Sequence, residues 1–143
     1  MRLPRGIVAG IVVLGLAAMP AMADVVVVVS SKSAVTTLSS NQVTDIFLGR
    51  THRFPDGSPA VPIDQTEGEA ARDEFYSSFT GKSVAQIKAY WSKIIFTGRG
   101  QPPRVVANSL AMKSLLIGNP AAIGYIEAKL LDDTMRAVTV TGR

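Results

Sequence analysis

The chain has 143 residues and a formal net charge of +4, a length that fits one domain with a modest core. It contains no cysteine and a single histidine, which excludes disulfides and argues against a structural zinc site; the composition implies no cofactor. Its lysines and arginines form no cluster after the first few residues, which argues against a nucleic-acid partner.

Residues 1–23 have the pattern of a cleavable export signal. A basic start containing Arg2 and Arg5 precedes an apolar stretch and a small-x-small cleavage motif that ends at Ala23. The apolar stretch is shorter than the roughly 20 residues that a membrane-spanning helix needs. We therefore expect a periplasmic protein formed by residues 24–143, with secretion from the cell as the less favoured alternative. Loss of the two arginines lowers its net charge by two.

The exported part opens with a strand and a helix. Val25–Val29 is a run of five valines, which predicts a strand buried on both faces, as in a parallel sheet covered by helices. Ser39 and Gln42 match a capping box, and Gly49 is placed to end the helix that this box begins.

A second strand and a second helix follow. Ala60–Ile63 is apolar, and Pro59 and Pro62 indicate that it is an edge strand or the end of a strand. The spacing of apolar residues from Glu69 to Phe79 is helical.

The remaining elements continue the alternation of strands and helices. They are a helix capped by Ser83 and Gln86 that contains Trp91, a helix from Asn108 to Leu116, and strands at Ala122–Ile126 and Arg136–Val140. This order predicts an α/β fold with a mixed or parallel sheet flanked by helices, within one domain.

The connection Asp64–Arg72 is the most informative segment. A strand-to-helix junction directs free backbone N–H groups at an anion in many α/β proteins, yet this one carries Glu67 and Glu69. A carboxylate about 4 Å from an anion costs roughly 4 kcal/mol at an effective dielectric of 20, whereas a helix N-terminus contributes about 0.3–1 kcal/mol, or about 2 in favourable geometry. Alternatively, both glutamates simply favour the helix dipole, with Glu69 paired to Arg72.

Three other features deserve a functional and a structural interpretation. Arg99 and Arg104 lie in a loop rich in glycine and proline and could bind an acidic ligand or partner, although solvated loop charges are the ordinary case. His52 fits a solvated loop residue, and Trp91 fits core packing.

Several segments follow one another in the order of a known family. They are Leu38–Arg50 (pattern L-(S/T)…IF-x-G-K/R), Phe54–Gly57, Val61–Ile63, Glu67–Gly68, Arg72–Phe75 and Asn119–Tyr125 (pattern N-x-x-A-I-G-Y). Together they cover most of residues 25–128 and resemble phosphate-type (PstS-like) periplasmic substrate-binding proteins of ABC transporters. The resemblance implies the type 2 periplasmic-binding-protein fold, in which two α/β lobes clamp an oxyanion.

The chain departs from that family in size and at the anion site. Residues 24–143 have room for about one lobe, so we expect a short single-lobe member that lacks the other lobe's phosphate loop. The family pattern is R-x-D/E-G-S-G-T-R, and its arginine, serine and threonine hold the oxyanion. This chain keeps three positions of the pattern and differs at those oxyanion contacts. Glu67, Gly68 and Arg72 are retained, while Gln65, Glu69 and Ala71 replace the arginine, serine and threonine, and Ala70 replaces a glycine.

Two functions stay open. The resemblance implies non-catalytic binding of an oxyanion such as phosphate and its delivery to an ABC permease. The ligand-contacting residues would be Thr66, Glu67, Gly68, Glu69 and Arg72. The alternative is a single-lobe interaction or sensor module that has lost phosphate binding and contacts a membrane or periplasmic protein. No group of residues suggests an enzyme.

Overall fold

A computed structural model describes residues 24–142 continuously, together with residues 2, 3, 6, 10–12 and 15. The cleavage motif that ends at Ala23 lies outside the described residues, so the export signal stays a prediction. Within the described part of the chain, no helix combines the length and apolar character that crossing a bilayer requires.

Strands and helices alternate along most of the described chain. In order, the elements are β1 (Val25–Ser30), β2 (Thr37–Ser39), α1 (Ser40–Phe47), β3 (Val61–Gln65), α2 (Ala70–Phe75), α3 (Val84–Phe96), β4 (Arg104–Val106), α4 (Ser109–Leu116), β5 (Ala122–Glu127), β6 (Met135–Ala137) and β7 (Thr139–Thr141). A π-helical turn at Tyr76–Thr80 continues α2, and a 3-10 turn at Ala128–Leu130 follows β5.

The central sheet is mixed, as predicted, with two parallel and two antiparallel pairs of strands. Its strand order is β4-β3-β5-β1-β6, and β3 is parallel to both of its neighbours. The expected parallel setting of the valine strand is wrong, because β1 is antiparallel to both β5 and β6. A continuous apolar run indicates that both faces of a strand are buried, but it does not determine whether the strand is parallel or antiparallel to its neighbours.

Helices cover both faces of this sheet. Val25, Val27 and Val29 pack in the same core cluster as residues of α1, α2 and α3. Val28 belongs to the cluster on the opposite face, which includes Met112 and other residues of α4. The alternation of neighbouring valines between two cores explains why the whole strand is apolar.

The start of β3 explains its prolines. Val61 and Pro62 pair with β5 only, and the partner strand β4 joins from Ile63 onward. The edge-strand alternative is therefore wrong, whereas the strand-end alternative is confirmed. Pro62 lies where no N–H is needed on the β4 side. The strand then runs on through Asp64 and Gln65, which places both residues inside the sheet.

Local helix signals are confirmed. Both capping boxes form, with Ser39 and Gln42 at the start of α1 and Ser83 and Gln86 at the start of α3. Asn108 accepts a hydrogen bond from the backbone N–H of Ala111 at 3.0 Å and so caps α4. The predicted single strand Arg136–Val140 is instead two short strands, β6 in the central sheet and β7 paired in parallel with β2.

Candidate functional site

A buried carboxylate lies where β3 leads into α2. Asp64 is 3% exposed and is the fourth residue of β3. Its Oδ1 accepts hydrogen bonds from the backbone N–H of Gln65 at 2.8 Å and from the Tyr125 hydroxyl, and its Oδ2 accepts from the Tyr76 hydroxyl at 2.5 Å. The Nε atom of Arg72 lies 3.6 Å from Oδ1. Four donor groups thus surround one carboxylate, which is what a charge removed from water requires.

Arg72 is committed to this buried carboxylate. Its guanidinium carbon also lies 5.1 Å from the centre of the Tyr76 ring, in the geometry of a cation–π contact. The predicted Glu69–Arg72 ion pair is therefore wrong, since among the described residues the ionic partner of Arg72 is Asp64. Glu69 is only partly buried, so the arginine gains more from Asp64, where water screens the attraction less.

The two tyrosines act as fixed hydroxyl donors. Burial raises the pKa of Tyr76 and of Tyr125 well above the ordinary range, and the negative charge of Asp64 raises both further. Both hydroxyls consequently stay protonated at neutral pH and can donate to the carboxylate. Phe75, stacked on Tyr125 with ring centres 4.2 Å apart, holds this part of the core in place.

Gln65 is held in the core beside Asp64. Its side-chain Nε2 donates to Ser109 Oγ at 3.2 Å and to the backbone oxygen of Tyr125 at 2.9 Å, which ties β3 to α4 and β5. Its Oε1 is buried and has no hydrogen-bond partner among the described residues. Gln65 stands where the family that the sequence resembles has an arginine, and its amide N–H groups are already hydrogen-bonded within the core.

The structure brings the other predicted contact residues onto the connection between β3 and α2. The backbone N–H and the hydroxyl of Thr66 both bond the carbonyl of Val106, at 3.0 and 3.2 Å. Gly68 has a φ of +98°, which allows the chain to turn there, and Glu69 is the N-cap residue of α2 without a side-chain capping bond. Glu67 is exposed, and neither glutamate forms an ion pair within the described chain.

A second candidate region lies at the other end of β3. Arg104 is the first residue of β4, so its predicted place in a loop is wrong, whereas Arg99 lies in the turn after α3. Both are exposed, and neither has an acidic partner within ion-pair distance among the described residues. Arg104 borders a cavity of about 200 Å³ between the end of α1, α3 and the start of β3, which we call the Trp91 groove.

Trp91 and His52 both border the Trp91 groove. Trp91 is 8% exposed and belongs to the core, as predicted, and His52 is exposed, as predicted. The sequence did not indicate that the two residues share one cavity. Their proximity depends on the path of residues 50–59, where a backbone hydrogen bond from the Ala60 N–H to the His52 carbonyl closes the loop.

Solved structures share this fold. A protein from Clostridium perfringens, assigned as a phosphate ABC transporter substrate-binding protein and solved with bound phosphate, aligns with a TM-score of 0.66 and 24% identity over 83% of this chain and 45% of its own. An ABC-type phosphate transport receptor from Vibrio cholerae aligns with a TM-score of 0.64 and 18% identity over 82% of this chain and 46% of its own. PstS from Borrelia burgdorferi aligns with a TM-score of 0.62 and 11% identity, over 83% and 47% of the two chains.

These comparisons establish the fold. The chain spans about half the length of the solved proteins that it matches, and it has the fold of one part of a phosphate-transport binding protein. No protein-family model matches the chain, and no curated protein is significantly similar to it in sequence.

Proposed function

We propose that this chain is a periplasmic, non-catalytic module, a single lobe of the fold found in phosphate-transport binding proteins. In this proposal it works by contacting a partner protein in the periplasm or membrane, and its β3–α2 connection does not hold phosphate. The export signal in residues 1–23 and the single domain in residues 24–143 are parts of the same proposal.

The observation that carries the proposal is the pairing of Arg72 with Asp64. Arg72 is the only basic residue in the segment from Asp64 to Arg72, which also contains Glu67 and Glu69. With Asp64 neutralising the arginine, the two glutamates leave this connection with a net negative charge. A phosphate oxyanion would meet repulsion of several kcal/mol there, more than the attraction of about 0.3–1 kcal/mol that a helix N-terminus supplies.

Exposed apolar residues at the end of α3 favour the proposal of a partner protein. Phe96 is 92% exposed and Ile95 is 56% exposed, and both lie in the last turn of the helix. These two neighbouring apolar side chains are available for contact with a partner protein.

A second candidate function is oxyanion binding, with delivery of phosphate to an ABC permease. It is favoured by the similarity to the C. perfringens structure that contains phosphate. In that case Thr66, Glu67, Gly68, Glu69 and Arg72 would contact the ligand. The O–H of a protonated phosphate could donate a hydrogen bond to one of the two glutamates, which would relieve part of the repulsion.

Calorimetric titration of the purified protein with inorganic phosphate, together with its thermal stability in phosphate, separates these functions. We expect no saturable heat and no rise in the unfolding temperature at millimolar phosphate, because a ligand that binds the folded state must stabilise it. Sodium chloride at matched ionic strength is the control for general salt effects.

Saturable binding of phosphate would overturn the proposal in favour of the oxyanion function. The variant Glu69→Ser then tests the charge argument, because removal of one carboxylate should strengthen binding. If Glu69→Ser instead weakened a real phosphate site, Glu69 would be a ligand contact and the repulsion argument would be wrong.

A further inference from the structure

We propose that the Trp91 groove is a binding site for a small organic carboxylate with an apolar body. The groove borders Val61 and Pro62 at the start of β3, whereas the Asp64 network lies at the end of the same strand. This site is independent of the proposed function, because neither the β3–α2 connection nor the exposed end of α3 contributes a residue to it.

The size and walls of the groove set the size of the ligand. Its volume is about 200 Å³, and a protein cavity of about 150 Å³ is known to hold benzene. Ile46, Phe47, Pro62, Pro103 and the Trp91 ring provide apolar walls. A single six-membered ring with one small polar group therefore fits the space, whereas a drug-sized ligand, which needs about 300 Å³ or more, does not.

The ionisable side chains that line the groove in the described chain are basic ones. His52 and Arg104 border the groove, and Arg99 borders an adjoining cavity of about 70 Å³ that shares Gly49, His52, Trp91 and Gln101 with it. Among the described residues, no aspartate or glutamate lines either cavity. An arginine fork that lacks an acidic partner in the described chain is suited to a carboxylate, which it can bind through two parallel hydrogen bonds.

Trp91 also carries a buried donor without a partner in the described chain. The Nε1 atom of Trp91 is buried and has no hydrogen-bond acceptor among the described residues, and solvent does not reach it. Buried indole N–H groups normally have a partner. Because solvent does not reach Nε1, a ligand in the groove does not bond to it, and the carboxylate contact is assigned to Arg104. A free phosphate suits the site less well, because the apolar walls cannot satisfy a doubly charged, fully polar ligand.

Trp91 is the only tryptophan in the chain, so its intrinsic fluorescence reports on this groove directly. The probe is cyclohexanecarboxylate, which has the required ring and charge, and the matched neutral ligand is cyclohexanecarboxamide. We expect a saturable change in the emission of Trp91 with the acid in the millimolar range or below. Binding of the amide should be about tenfold weaker, since hydrogen bonds to charged groups contribute about 1.5–3 kcal/mol and 1.4 kcal/mol corresponds to tenfold.

Variants locate the carboxylate contact. Arg104→Gln should weaken binding of the acid about tenfold for the same reason and should leave binding of the amide unchanged. Arg104→Lys keeps the charge and loses the planar fork, so its affinity for the acid should lie between those of the wild type and Arg104→Gln. Lys129→Gln is the control: Lys129 has a side chain that is 77% exposed, does not border the groove, and should leave the affinity unchanged.

Three results would overturn the proposal. They are no saturable change with the acid, equal affinity for the acid and the amide, or equal weakening by Arg104→Gln and Lys129→Gln. The first would mean that the groove is not a site for this ligand class, and the others would mean that Arg104 does not recognise a carboxylate. Circular dichroism of each variant verifies that the fold is retained.

Discussion

Asp64 is the residue on which the β3–α2 connection depends. Removing a carboxylate from water is costly, and the fold offsets that cost with Tyr76, Tyr125, the Gln65 N–H and Arg72. Each of these groups has Asp64 as an acceptor or ionic partner, so a change at Asp64 affects all of them at once.

Asp64→Asn should lower the free energy of unfolding by about 3–5 kcal/mol, because it leaves the partly buried Arg72 without its counter-charge. Tyr76→Phe is the matched comparison. It removes one of the four donors and should cost about 1–3 kcal/mol. Urea unfolding of the three proteins provides the measurement. Equal losses in the two variants would contradict the view that the charge of Asp64, rather than its hydrogen bonds, dominates.

The sequence predicted where this site lies but not how its residues pair. The motif formed by Glu67-Gly68 and Arg72 correctly indicated the connection between β3 and α2, because its residues are close together in the sequence. The partner of Arg72 could not be predicted, since the acceptor Asp64 is buried by Tyr125, which is 61 positions away in sequence. One signal was available: an aspartate that directly continues an apolar strand needs donors if the strand is buried.

At the scale of elements, local signals predicted helix starts well. The boxes Ser39/Gln42 and Ser83/Gln86 act within four residues, so tertiary packing does not have to be known. Strands β2 and β4 escaped prediction because each has three residues, too few to show a period. The antiparallel direction of β1 could not be predicted either, because pairing with β5 and β6 determines it and the residues of β1 alone do not.

The N-cap of α3 allows a direct test of one local signal. Ser83→Ala should reduce the free energy of unfolding by about 1 kcal/mol, because the Ser83 side chain accepts the Gln86 N–H at 3.2 Å. Ser92→Ala on the same helix is the control. Within the described chain, the exposed Ser92 hydroxyl donates only to the Lys88 carbonyl, so its loss should be neutral or slightly stabilising. Equal destabilisation by both changes would show that the loss does not come from the capping bond of Ser83.

At the scale of the whole molecule, the central sheet has a hydrophobic core on each face. This arrangement explains how a chain about half as long as the solved proteins that it matches forms a folded unit. In the two-lobed family that the sequence resembles, ligand is held between lobes, and this chain spans about half the length of the solved proteins that share its fold. At the β3–α2 connection, Asp64 neutralises Arg72, whereas Glu67 and Glu69 have no ionic partner in the described chain. A lobe that neutralises its own cation needs no anionic ligand to be stable.

The tyrosine network should also give the whole molecule a characteristic loss of stability at alkaline pH. The pKa values of Tyr76 and Tyr125 are raised in the folded state, first by burial and then by Asp64, whereas unfolded tyrosines ionise near pH 10. Their contribution is therefore fully present below about pH 10 and is lost as the pH rises above it, because only the unfolded state then releases the protons. Each tyrosine should add a slope of about 1.4 kcal/mol per pH unit.

Urea unfolding of the wild type, Tyr76→Phe and Tyr125→Phe at several values between about pH 8 and pH 11 measures this slope. Lysines and the third tyrosine, Tyr90, contribute equally to all three proteins, so their effects cancel in the comparison. Each single variant should lose stability less steeply than the wild type above pH 10, although it starts from a lower value at neutral pH. Parallel pH profiles in all three proteins would mean that these hydroxyls ionise in the folded state, and the buried Asp64 network would then have to be more open to water than its geometry indicates.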